Sequence, residues 1–169
     1  EPFVFNLASL DQVIANLSIQ HAKRGIDFSA ELNGKEYSFH AGFLLDPRVS
    51  ELGKGISAMQ LYNRDKALDE FIKRINILSE YAQKKDISLL IENNVVSRAN
   101  YEQFFGNPFL MSEAVECIYV MNNTPDNVNM LIDVAHLKVS AQSMGFDPTL
   151  FLNKCKKWNK TKDIGFLLN

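Results

Sequence analysis

The sequence holds two cysteines and one tryptophan in 169 residues, and no apolar run approaches the length of a membrane span. Cys117 and Cys155 stand apart, without metal-site spacing and inside stretches that read as helix. They are therefore expected to be reduced core thiols and not a disulfide. No signal-peptide pattern opens the chain, so a cytoplasmic protein is the default expectation. An excess of either charge is also missing. With 18 basic and 20 acidic residues the net charge is −2, which argues against general attraction to nucleic acid or anionic membrane. No glycine-rich phosphate fingerprint and no nucleophile elbow occurs, which weakens dinucleotide-binding and hydrolase readings.

What is present is enough apolar sequence, 46% of residues, for one domain with a real core over 1–169. Residues 3–7 read as a strand. Ser9 with Gln12 has the form of a capping box, so a helix is expected from about Ser9 to Gly25, with Leu10, Val13, Ile14, Leu17 and His21 on one stripe. His21 is expected to be an ordinary helix residue without chemistry. After a turn at Asn33-Gly34, residues 37–40 form the next strand candidate, ending at His40.

The connection 41–64, with Gly42, Pro47, Gly53 and Gly55, is long for a compact domain. It reads either as a cover over a site, with Phe43 and Tyr62 as apolar wall and Arg48 or Lys54 as anion contacts, or as a plain solvated loop. Asp65 is the expected cap of a helix through Leu68, Phe71, Ile72, Ile75, Leu78 and Ala82, closed by Lys84-Lys85. The apolar run 87–91 leads directly into Glu92, Asn93 and Asn94. Asn107-Pro108 is the expected start of a helix through Phe109, Ala114, Val115, Ile118 and Met121. Residues 128–132 form a further apolar strand ending in Asp133, with His136 three residues on. A short helix over 138–144 ending at Gly145, a helix from Asp147-Pro148 through Phe151, Leu152, Cys155 and Trp158, and a strand over 163–168 follow.

Strands that alternate with amphipathic helices predict an α/β fold with a parallel sheet and right-handed crossovers. In such a sheet the carboxyl ends of the strands share one edge, so His40, Glu92, Asp133 and His136 can converge there. Two carboxylates and two imidazoles suit a divalent ion such as Mn²⁺, Mg²⁺, Co²⁺ or Zn²⁺.

The stretch Leu90-Ile-Glu-Asn93, followed by Ile132-Asp-Val-Ala-His136, resembles the xylose-isomerase-like TIM-barrel superfamily of sugar-phosphate isomerases, epimerases and apurinic endonucleases. The likeness covers residues from about Tyr37 to Pro148 and includes His40-Ala-Gly at a strand end. It implies a partial (β/α)8 TIM barrel with about five parallel strands. It also implies Glu92 and Asp133 as metal ligands, catalytic roles for Glu92 and His136, and His40, Asn93 and His136 toward substrate. The superfamily completes its metal site with a histidine and a glutamate on later strands, which this chain does not reach, so the chain is expected to be a fragment. The implied activity is a metal-dependent sugar or sugar-phosphate isomerase or epimerase working through an enediolate, with a small-molecule sugar as partner and self-association left open. A metal-dependent endonuclease or phosphoester hydrolase of the same fold, and a non-catalytic α/β domain, are the alternatives.

Overall fold

The computed structural model describes residues 2–51, 56–57, 59–158 and 163–167. Lys54, Gly53, Gly55 and Leu168 lie outside these residues. The order is α1 (Gln12–Glu31), β1 (Glu36–His40), α2 (Arg64–Gln83), β2 (Ser88–Glu92), α3 (Arg98–Gln103), α4 (Ala114–Asn122), β3 (Val128–Asp133), α5 (Val134–Met144), α6 (Pro148–Trp158) and β4 (Ile164–Leu167). The four strands pair in chain order and all in parallel. A run of parallel strands joined through helices is the arrangement of one arc of a (β/α) barrel.

The sheet is apolar on its helix-covered face. Phe39, Leu89, Ile91, Val128, Met130 and Ile132 are buried there, packed with Phe71, Ile75 and Leu78 of α2 in one continuous core. Strand alternation turns Ser38, His40, Leu90, Glu92 and Leu131 to the opposite face, where none is fully buried. The buried positions of α2 (Ala67, Phe71, Ile75, Leu78, Ala82) recur at helical spacing. Burying a side chain such as Phe71 or Ile75 contributes about 1.5–3 kcal/mol.

Several expectations need correction. Residues 3–7 join no ladder, so the described residues hold four strands and not five. Side chains have taken the hydrogen bonds of this segment: the Asn6 N–H donates to Ser18 Oγ (2.9 Å), and Asn6 Oδ1 accepts from the N–H groups of Ala8 and Phe43 (3.0 and 2.9 Å). The cap of α1 is Asp11, whose carboxylate accepts from Val13 and Ile14, and the helix runs past Gly25 to Glu31. Gly25 is a site of close approach, since a Cβ there would lie 2.3 Å from the Tyr37 ring. The buried face of α1 is Ala15, Ser18, Ala22 and Ile26, whereas Val13 is 67% exposed. Small residues let the helix lie close to its neighbours, and that outweighs the size of Val13 and Leu17.

Asn63, not Asp65, caps α2 through a bond from the Lys66 N–H. Asn107-Pro108 starts no helix: Asn107 Oδ1 accepts from the Phe109 N–H to make a local turn, and α4 begins at Ala114. A further short helix, α3, is capped by Ser97, whose side chain accepts from the Asn100 N–H. Cys117 and Cys155 are free and buried, as expected. Burial pushes the Cys117 thiol well above its ordinary range and that of Cys155 up to about 11. Both are therefore poor nucleophiles. No helix among the described residues is long and apolar enough to cross a membrane.

Candidate functional site

His40 and Glu92 are the last residues of β1 and β2 and are register partners, which places them side by side on the carboxyl edge. Asp133 ends β3 on the same edge. The helix α5 starts immediately afterwards, four residues earlier than the sequence suggests, because Asp133 is its N-cap: Oδ1 accepts from the His136 N–H at 2.9 Å. His136 therefore sits in the first turn of α5, with its ring back over the strand ends.

The Glu92 carboxylate lies between two imidazoles. Its Oε1 is 3.2 Å from His136 Nδ1 and its Oε2 is 3.8 Å from His40 Nδ1, and the two rings lie 5.4 Å apart between centroids. His40, Glu92 and His136 can each offer one ligand atom within 4.8 Å of the others. One carboxylate with two imidazole nitrogens is a donor set that suits a borderline divalent ion. Side-chain exposure falls from 51% at His40 through 24% at His136 to 13% at Glu92, so the group opens on the β1 side. Asp133 is 3% exposed and is tied to this group through the cap.

Asn93 is 1% exposed. Its Oδ1 accepts from the Asp133 N–H at 2.7 Å and its Nδ2 donates to the Asp133 carbonyl at 3.3 Å. Asn94, 4% exposed, points the other way, and its Nδ2 donates to the carbonyls of Ala41, Gly42 and Leu110 at 2.9 to 3.0 Å. It thus binds the loop after β1 and the loop between α3 and α4 to the edge that carries Glu92. The run Glu92-Asn93-Asn94 at a strand exit was a legible signal for this. Asn6 has no such signal: it donates to Phe43, Leu45 and Asp46, partners remote in sequence.

Asp46 collects Asn6 Nδ2 at 2.7 Å, Ser9 Oγ at 2.6 Å and Tyr62 Oη at 2.5 Å. Burial, with the bond to Asp46, pushes the Tyr62 phenol up to about 12. Phe43 packs edge-on to Phe109 at 5.3 Å in a second apolar cluster with Leu45, Ile56 and Val96. Arg48 is exposed, and its main-chain N–H donates to Glu51 Oε2. The first half of the long connection is therefore fastened to the body and is not a plain solvated loop. His21 packs against the rings of Phe3 and Phe5.

A parallel βα sheet with a carboxylate and two imidazoles at its carboxyl edge defines the class of (β/α)-barrel proteins with a polar site at the strand ends. Within that class, the model of the xylose isomerase-like TIM barrel family matches residues 1–160, and the chain belongs to this family. No curated protein matches the sequence. Among solved structures, a D-tagatose 3-epimerase-like protein superposes with a TM-score of 0.68 at 17% identity over 98% of this chain and 52% of its own. The D-psicose 3-epimerase of Clostridium cellulolyticum, solved with D-tagatose, gives 0.63 at 13% identity over 95% of this chain and 48% of its own. A protein of Thermus thermophilus, from a crystal soaked with ZnCl2, gives 0.52 at 18% identity over 81% of this chain and 46% of its own. These likenesses show a shared fold. The chain spans about half the length of these structures.

Proposed function

We propose that the protein is a metal-dependent sugar or sugar-phosphate isomerase or epimerase, and that this chain supplies the first half of its barrel as one α/β domain. The observation that carries this reading is the Glu92 carboxylate held between His136 and His40 at the carboxyl edge. Glu92, with His40 and His136 and with Asp133 as a further carboxylate, would hold Mn²⁺, Mg²⁺, Co²⁺ or Zn²⁺, and that ion when bound supplies the positive charge that acidifies a C–H beside a carbonyl.

Glu92 takes the proton from the carbon between carbonyl and hydroxyl, and the substrate passes through an enediolate. In an isomerase Glu92 returns that proton to the neighbouring carbon; in an epimerase Glu92 keeps it, and a second acid on the opposite face of the sugar, expected from a later strand, delivers the proton that inverts the carbon. His40, on the open side of that carboxylate, presents a ring nitrogen to the sugar hydroxyls and fixes which C–H faces Glu92. The more exposed His40 lies on the side from which a sugar enters. The 3-epimerases among the structural relatives make D-tagatose and D-psicose the first substrates to assay.

The test is solvent-deuterium incorporation at C3 of D-tagatose or D-psicose, followed by NMR with the full-length protein. Wild type is expected to exchange that hydrogen and Glu92→Gln to lose the exchange. Undiminished exchange in Glu92→Gln rules out its role. A calorimetric titration with Mn²⁺ or Zn²⁺ separates this reading from a non-catalytic domain, which would give no saturable heat.

A further inference from the structure

We infer that neutral His136 carries its proton on Nδ1, leaving Nε2 as the atom presented to metal or sugar, and that Asn93 is the positioning residue that fixes this state. The ring has two polar neighbours on its Nδ1 side. The Asn93 carbonyl oxygen is 3.2 Å away and Glu92 Oε1 is 3.2 Å away. A peptide carbonyl only accepts, and an ionised carboxylate only accepts. An unprotonated Nδ1 would set its lone pair against both oxygens, whereas a proton there is donated to the Asn93 carbonyl and lies close to the Glu92 carboxylate. The tautomer is thus chosen by the acceptors around one nitrogen.

The position of that carbonyl is itself fixed. The backbone ladder between β2 and β3 makes its last bond where the Asn93 N–H meets the Leu131 carbonyl at 3.3 Å. Beyond that point the strands diverge to begin their loops, and the Asn93 side chain continues the pairing by bonding both the N–H and the carbonyl of Asp133. Asp133 in turn holds the His136 N–H. The main chain of His136 is therefore referred to Asn93 through Asp133, and its ring is referred to Asn93 through the carbonyl. Asn93 is buried with its amide committed to Asp133, so it acts through His136 and not by touching substrate. Donating the second ring N–H to a carbonyl or carboxylate is also how proteins fix the orientation of a ligating histidine.

The prediction departs from the intrinsic preference of a neutral histidine side chain, which favours the proton on Nε2, so the state is diagnostic. It is read by multiple-bond ¹H–¹⁵N NMR of the full-length protein at mildly alkaline pH without metal, with His136 assigned from the His136→Asn spectrum. Wild type is expected to show the Nδ1–H pattern, and added Zn²⁺ to shift Nε2 while the Nδ1 proton is retained. An Nε2–H pattern in wild type overturns the inference. Glu92→Gln should keep the Nδ1–H pattern, because the Asn93 carbonyl still accepts; a switch to Nε2–H would remove Asn93 from the account. Asn93→Ala is expected to give a mixture of tautomers, and an unchanged pure Nδ1–H pattern in a folded Asn93→Ala would also remove it. The measurement needs no turnover, so failure to epimerise a sugar leaves it standing, and a wrong tautomer leaves proton transfer by Glu92 standing.

Discussion

Replacing Asn94 tests whether one buried amide holds the loops around the site. Its Nδ2 faces three carbonyls and its side chain is buried, so only a donor fits there. In Asn94→Ala the Gly42 carbonyl keeps the Leu110 N–H at 2.9 Å, but the carbonyls of Ala41 and Leu110 lose this donor. At about 1–3 kcal/mol for each buried acceptor left short of a partner, the loss is about 2–6 kcal/mol. With a urea m-value on the order of 2 kcal/mol/M, the unfolding midpoint falls by about 1–3 M. Asn94→Asp is nearly the same shape but aims a carboxylate at the same three oxygens, so it should be worse than alanine at neutral pH. Its folded state favours the protonated acid, which binds more protons than the unfolded chain. Stability of Asn94→Asp therefore rises as pH falls, the reverse of an ion-paired carboxylate. Urea unfolding followed by circular dichroism at neutral and acid pH decides the matter. A midpoint for Asn94→Ala equal to wild type, or a neutral-pH midpoint for Asn94→Asp above that of alanine, would refute the reasoning.

Three further outcomes are expected. The Tyr62 phenol, held up to about 12 by burial and the Asp46 bond, favours its neutral form in the folded state, so the stability it contributes is complete below pH 10 and lost as pH rises toward 12. The alkaline loss of stability should be smaller in Tyr62→Phe, measured by urea midpoints across that range. Gly42→Ala would bring a Cβ to 2.3 Å from the Ala8 Cβ and 3.1 Å from the Ala8 backbone nitrogen, so the segment Asn6–Ala8 must shift. A loss of about 1–3 kcal/mol and a fall in Tm of roughly 2–12 °C are expected by calorimetry. Glu92→Gln, by contrast, should leave Tm nearly unchanged while abolishing deuterium exchange into the sugar, since Glu92 is a partly exposed group at the sheet edge.

The parts of the fold legible in the sequence were those where one physical cause acts alone. In α2 the apolar residues recur at helical spacing with charges between them, and the structure buries that stripe. In β2 and β3 a short apolar run meets a carboxylate, and both runs became core strands with the carboxylate at the edge. Legibility ended where a side chain replaced a backbone partner. Residues 3–7 have strand composition, yet Asn6 and Ser18 occupy the hydrogen bonds a ladder would use. In α1 it ended for a different reason: the helix packs through Ala15, Ser18 and Ala22, and a pattern weighted by side-chain size points to the wrong face.

At the site, Glu92 and the two histidines were legible because topology brings strand exits together, but Asp133 carries two readings that spacing cannot separate. An acidic residue three positions before a histidine is what a metal site asks for. It is equally what a helix N-cap asks for, and Asp133 makes that cap with the His136 N–H. Substitution can separate them, because asparagine caps about as well as aspartate while removing the charge. If Asp133 is both cap and ligand, Asp133→Asn should keep the stability of the wild type to within a few tenths of a kcal/mol and lose most of the Mn²⁺ or Zn²⁺ heat. Asp133→Ala should lose that heat and also about 1 kcal/mol of stability. Metal binding undiminished in Asp133→Asn would leave Asp133 as a cap alone, with the ion held by His40, Glu92 and His136.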